Sequence, residues 1–248
     1  MEFWQILILA LVGVAAGWLN VMAGGGSLLT VPVMLFMGIP GPVANGTNRI
    51  AILAQNITAV TAFRRRGYSD FKLGLSLAAA ASLGALGGAS LGVHLEGEWF
   101  DRVLAVVMIA VMVLMATGHD KVKPIDGETE AKNLAAGHLL MVGAGFWGGF
   151  IQIGVGFILM PILHRVMHLD LVRVNMHKVL IVLVYTIVAL IVFSSQLELL
   201  WWTGLGLAVG NSIGGWLGAH TTISHGETLI RRVLYLALTA FIVKLLFF

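Results

Sequence analysis

The chain contains no cysteine. Disulfides, thiolate metal sites and a cysteine nucleophile are therefore excluded, and the redox compartment is left undetermined. Charge is also scarce. Asp, Glu, Lys and Arg make up 11% of the 248 residues, against roughly 25% in an ordinary soluble domain. A soluble domain of this length needs a charged shell, and these residues are too few to form one. There is no HExxH and no GxxxxGK[ST], so any use of ATP needs a partner. None of the 12 acidic residues lies in the middle of an apolar stretch. A cation carrier or a carboxylate proton relay needs one there.

What is present points the other way. Hydrophobic residues make up 58% and mean hydropathy is +0.94. Glycine is abundant, 31 residues, as it is in membrane helices. A soluble enzyme, a disordered tail and a DNA-binding module are excluded. The net charge of +3 comes with basic residues at block ends, Arg64, Arg65, Arg66, Arg231 and Arg232. That is a topology signal, so no nucleic acid is expected as a partner. Met1 to Gln5 lacks a basic n-region and the apolar run after it is too long for a signal peptide, so a retained first helix is expected. The expectation is an all-α polytopic membrane protein whose partner is the lipid bilayer.

Apolar blocks run over 4–23, 27–38, 42–63, 71–95, 99–117, 134–153, 155–168, 170–193, 198–222 and 231–248. A spanning helix needs about 20 apolar residues. Blocks 27–38 and 155–168 are too short; each follows a glycine cluster and carries a proline, Pro32 and Pro161. Such segments are read as re-entrant or broken helices. About 8 transmembrane helices plus two short Gly/Pro helices are predicted.

The two halves resemble each other. An offset of 129 residues carries Gly25 onto Gly154, Pro32 onto Pro161 and Asn48-Arg49 onto His177-Lys178. An offset of 126 carries Gly88-Ala-Ser-Leu-Gly92-Val-His94 onto Gly214-Gly-Trp-Leu-Gly218-Ala-His220. A first repeat over 1–117, a linker over 118–133 and a second repeat over 134–248 follow, within one transporter domain. Block 42–63 ends in three arginines, while its mate ends in Ser194-Ser-Gln-Leu-Glu198. At the next loops the bias reverses, with Glu96, Glu98 and Asp101 against Arg231-Arg232. Equivalent positions thus lie on opposite sides of the membrane, the mark of inverted-topology repeats. In the cell membrane this puts both termini outside and the linker in the cytoplasm.

Candidate site residues cluster in and beside the short segments. Asn20 leads into Gly24, Gly25, Gly26 and Ser27, where one helix breaks and another starts. Ser27 is a favoured N-cap, and a helix start suits an anion. The second segment offers Gln152, Gly154 and Gly156. Asn45, Thr47, Asn48 and Arg49 form the most polar stretch in any block, with Gln55 and Asn56 beyond; the mate carries Asn175, His177 and Lys178. Cations inside membrane helices are functional candidates by default, the alternative being snorkelling to an interface. Two equivalent cations without a mid-span carboxylate favour a small anionic substrate, their charge offset by Arg49 and Lys178. Neither a cofactor nor a metal is expected. His164 and His168, spaced i, i+4, keep open a membrane redox or haem subunit, and an anion channel is a further alternative. The face Gly84-Ala-Leu-Gly87-Gly88 packs either within a protomer or in a homodimer.

The run Ala23-Gly-Gly-Gly-Ser-Leu-Leu-Thr-Val-Pro32, with Gly38-Ile-Pro40 and Ala44-Asn-Gly-Thr-Asn48, resembles the signature of the sulfite exporter TauE/SafE family, the toluene sulfonate uptake permeases. Gly154-Val-Gly-Phe-Ile-Leu-Met-Pro161 and Val174-Asn175 to Lys178 look like its second copy. The resemblance implies a multi-pass secondary carrier for sulfite, thiosulfate, sulfonates or sulfoacetate-like acids, with proton coupling and not an enzyme. The expected mechanism is alternating access.

Overall fold

The computed structural model describes residues 3–68, 70–117 and 130–221. Most of the predicted linker and the whole of block 231–248, with Arg231 and Arg232, lie outside the described residues. The elements are α1 (Phe3–Ala23), α2 (Ser27–Phe36), α3 (Gly41–Arg65), α4 (Phe71–Gly92), α5 (Gly97–Thr117), α6 (Leu134–Phe150), α7 (Val155–Pro161), α8 (Leu171–Gln196) and α9 (Trp201–Thr221). The protein is an all-helical polytopic membrane protein. Among the described residues seven helices are long and two, α2 and α7, are short. Each short helix holds its predicted proline, Pro32 or Pro161. After Pro161, which has no N–H to give the helix, the chain continues as a π-helical turn over Ile162–Val166.

Three helices, α1, α4 and α8, are both long and apolar enough to cross a membrane by composition. The 25 residues of α3 are long enough but too polar, and its polar side chains face inward: Asn45, Thr47, Asn48, Arg49, Gln55 and Asn56 are all buried. The outer surface is the reverse. Leu139 is 74% exposed and Leu83 72%, with Leu11, Val106 and Ile191 not far behind. In water this would be an aggregating surface; against lipid tails it is the expected one. Trp4, Trp99, Trp201 and Trp202, all exposed, fall near helix ends, where an interfacial belt accounts for them.

Helix packing is reciprocal between the halves. The most extensive contacts are α1 on α9 and α4 on α6, followed by α3 on α9 and α4 on α8. Exchanging α1–α4 with α6–α9 converts each pair into its partner pair and leaves the central α3–α8 contact unchanged. Glycine makes both seams. A Cβ on Gly84 or Gly88 of α4 would strike the Val142 or Phe146 carbonyl of α6. Their mates Gly210 and Gly214 on α9 would strike the Ala10 and Val14 carbonyls of α1. From the other side, Gly17 abuts Asn211 and Gly149 abuts Ala85. Glycine at every fourth position lets two backbones touch, which replaces the hydrophobic drive that lipid does not provide. Gly84 and Gly88 therefore pack within the chain, and that face is not free for a second protomer.

The seam gives a graded test. Gly88→Val should lower the melting temperature in detergent and cut the yield of monodisperse protein. Gly143→Ala, with nothing within 4 Å of the added carbon, should leave both unchanged. Fluorescence-detected size exclusion on heated samples reads the difference.

Candidate substrate site

The chain breaks at equivalent places, after α1 and after α6. Gly24 closes the first break at φ 78° and Gly154 the second at φ 72°, a left-handed conformation that glycine adopts without penalty. The breaks cross at the centre. A Cβ on Gly24 would land on the Gly156 Cα, and one on Gly156 on the Gly24 Cα. Gln152 also has positive φ, 61°, which costs a non-glycine residue energy and marks functional sites when the surroundings hold it. Here they do: its Oε1 accepts from Arg49 Nη1 at 2.9 Å and its Nε2 donates to Thr186 Oγ1 at 3.3 Å.

A helix that stops inside a membrane leaves its last carbonyls without partners. At the end of α6 these are taken by α3. Arg49 donates to the Gly148 carbonyl at 3.0 Å and to the Gly149 carbonyl at 2.5 Å, and Asn45 Nδ2 donates to the Phe150 carbonyl at 2.9 Å. Asn45 Oδ1 accepts from Arg49 at 3.4 Å, and the Phe193 ring lies 4.4 Å beneath the guanidinium. The cation also sits at the negative end of the α6 dipole. At the end of α1 the equivalent lysine takes the same role. Lys178 Nζ donates to the Val21 carbonyl at 2.7 Å and to Asn175 Oδ1 at 2.7 Å. Each half thus caps the broken helix of the other with a buried cation.

The start of α2 is pinned by α3. Asn48 Nδ2 donates to Ser27 Oγ at 3.1 Å, and Asn48 Oδ1 accepts from Thr30 at 2.7 Å. Ser27 is not the N-cap expected of it. The N-cap is Gly26, which makes no side-chain cap, and Ser27 is the first helical residue. Gly26 is held tightly against the Ala16 carbonyl and Asn20.

Between the two breaks lies a narrow cavity with room for about one water molecule. Of the predicted site residues, Asn20, Gly24, Ser27, Gln152, Gly156 and Lys178 line it. Asn56 lines it too; its position among the polar residues of α3, one turn beyond Ile52 on the same face, is the signal that could have included it. Apolar Ile52, Val155, Val179 and Val182 complete the wall. The other predicted residues stand behind it. Asn45, Asn48, Arg49 and Asn175 hold the helix ends just described, Gly25 accepts from Leu28 in the first turn, and Gly154 packs on Val111. Thr47 Oγ1 accepts from the Leu200 N–H at 3.2 Å, just before α9.

His177 points elsewhere. It is fully buried, 3.6 Å from Asp70 Oδ2 without a hydrogen bond to it; that oxygen accepts from Arg173 at 3.2 Å. Asp70 and Asp170 cap the starts of α4 and α8, accepting from Leu73 and from Val172 and Arg173. His164 and His168 do not share a helical face. His168 lies beyond the π turn at φ 59°, and the two rings meet different carbonyls, Leu169 and Val166. Among the described residues no cluster of three or more His, Asp or Glu could hold a metal.

The family model described as Sulfite exporter TauE/SafE matches residues 9–245. A probable membrane transporter protein, ORF9, of Sinorhizobium sp is 25% identical over 99% of this chain and 94% of its own length. The probable membrane transporter protein YfcA of Escherichia coli K12 is 26% identical over 97% of this chain and 89% of its own. A probable membrane transporter protein of Haemophilus influenzae is 26% identical over 91% and 88%. No solved structure matches.

The capping role of Arg49 predicts a stability order. Arg49→Gln strips the Gly148 and Gly149 carbonyls of their donor, at about 1–3 kcal/mol for each orphaned group. Arg49→Lys keeps the charge and loses the fork. Melting temperatures should fall from wild type through Arg49→Lys to Arg49→Gln. An unchanged melting temperature for Arg49→Gln would contradict the cap.

Proposed function

Because the chain belongs to the sulfite exporter TauE/SafE family, and so is a multi-pass membrane transporter, we propose that it is a secondary carrier of small sulfur-containing anions, taking sulfite, thiosulfate, sulfonates or sulfoacetate-like acids through the central cavity. The observation that carries the reading is the lining of that cavity. Among the described residues it holds one cation, Lys178, with Asn20, Ser27, Asn56 and Gln152 around it and no carboxylate. Two of the three Lys178 donors are used on neutral acceptors, which leaves one for a ligand. A small oxyanion needs one positive charge and several neutral donors, and amides and hydroxyls supply the latter.

Alternating access is supported by the reciprocal packing. Two similar halves meet at the crossing of Gly24 and Gly156, and the cavity lies between them. Rocking of one half on the other exposes the cavity first to one side and then to the other. The arginines at the end of α3, Arg64 and Arg65, lie on the cytoplasmic side by the positive-inside rule. In this arrangement both termini are outside the cell membrane and 118–133 faces the cytoplasm.

Transport into liposomes tests the reading. Thiosulfate, sulfite, sulfate, benzenesulfonate, acetate and chloride are offered in turn. Uptake of a sulfur oxyanion should be saturable and stimulated by the same anion on the far side, and Lys178→Gln should reduce it at least about tenfold, the worth of one charge-assisted hydrogen bond. Flux without saturation or trans-stimulation would identify a channel instead.

A further inference from the structure

The two intramembrane cations are equivalent in sequence but not in surroundings. Arg49 is spent on the end of α6 and on Gln152, stands behind the cavity wall, and is an arginine, which keeps its proton. Lys178 faces the cavity and is a lysine, which can give its proton up. Resting on the anion-carrier reading above, we propose that Lys178 is the proton site of the carrier: anion binding and protonation of Lys178 Nζ are one linked event, and each anion crosses with one proton.

Among the described residues that line the cavity, nothing else competes for that role. The side chains facing Lys178 across it, Asn20 from α1, Ser27 from α2, Asn56 from α3 and Gln152 from the second break, do not titrate. On α8 itself, His177 faces away towards Asp70 and Arg173, and Asp170 lies at the helix start. Arg49, which donates to Gln152, and Tyr185, which packs on Gly148, are not among the residues that line the cavity. Lys178 has no ion-pair partner among the described residues. Its acceptors are the Val21 carbonyl and the Asn175 amide oxygen, both neutral.

A buried ammonium with only neutral acceptors is costly, and the cost is relieved by a counter-charge. The anion brings that charge. Conversely, an anion entering a cavity whose lysine is neutral finds no positive charge. Each ligand therefore raises the affinity of the other by the same factor, whichever arrives first. The proton comes from the solution on the side where the anion binds and leaves with it on the other. A monovalent anion then moves without net charge.

The experiment measures thiosulfate binding to the purified full-length protein in detergent, from about pH 6 to pH 9, with proton uptake read in weakly buffered solution. Thiosulfate is used because sulfite takes up a proton of its own near neutral pH. Wild-type protein should take up close to one proton per thiosulfate at the alkaline end, and affinity there should fall about tenfold per pH unit. In Lys178→Arg, whatever its absolute affinity, binding should be flat with pH and release or take up no proton. In Lys178→His the fall should move to lower pH, which keeps the test decisive if the arginine variant does not insert. Wild-type binding with a flat profile and no proton uptake overturns the linkage and leaves the anion site standing. Proton uptake that persists in Lys178→Arg, or a profile that stays in place in Lys178→His, overturns the assignment to this residue. Failure of wild-type protein to bind thiosulfate, sulfite or benzenesulfonate overturns the anion reading itself.

Discussion

A helix cannot end inside a membrane unless something takes its last carbonyls. Water is absent there, and each unpaired group costs several kcal/mol. This protein ends two helices in its interior, α1 and α6, and the rest of the centre follows from how those ends are satisfied. The donors come from the opposite half: Arg49 and Asn45 on α3 for α6, Lys178 on α8 for α1. A cation is the right donor because the carbonyl end of a helix is its negative end. The same bonds tie the two halves together at the point where their breaks cross.

The caps work only because the breaks come close, and glycine decides that. Gly24 and Gly156 meet backbone to backbone, and the α1–α9 and α4–α6 seams repeat glycine at every fourth residue. A methyl group at any of these positions would separate the helices by more than a hydrogen bond tolerates. Glycine thus serves two separate ends here, left-handed turns at Gly24 and Gly154 and close approach along the seams. The outer faces, where Leu139 and Leu83 meet lipid, carry no such demand.

Much of this is legible in the chain. The two short blocks, their prolines, the glycine clusters and the paired cations mark the breaks and their caps. Six of the residues named from sequence do line the cavity. What sequence does not convey is direction. On α3, Asn48, Arg49 and Asn56 look alike as polar residues in one span, yet Asn56 lines the cavity, Arg49 stands behind it and Asn48 holds Ser27. On α8, neighbouring His177 and Lys178 point to different partners, one towards Asp70 and the other towards α1. Polar residues at adjacent positions differ by about 100° around a helix, so their partners depend on packing that a single span does not reveal. The histidine pair at 164 and 168 fails for a related reason. Helical spacing presumes a continuous α-helix, and Pro161 turns the chain into a π turn before His168 is reached.

Hydropathy alone would also have passed over the centre of the molecule. Polar side chains remove α3 from the helices that composition selects as spans. Those same side chains hold α2, cap α6 and line the cavity. A membrane helix surrounded by other helices is not solvated by lipid, so its polar groups need partners in the protein and not an apolar exterior. The least hydrophobic long helix is therefore a central one, and its polarity is the physical trace of the site. Its mate α8 reaches the same end with fewer polar groups, spending Asn175 and Lys178 on one break. That leaves the lysine facing the cavity with a donor to spare, where the arginine across from it has given its fork to structure.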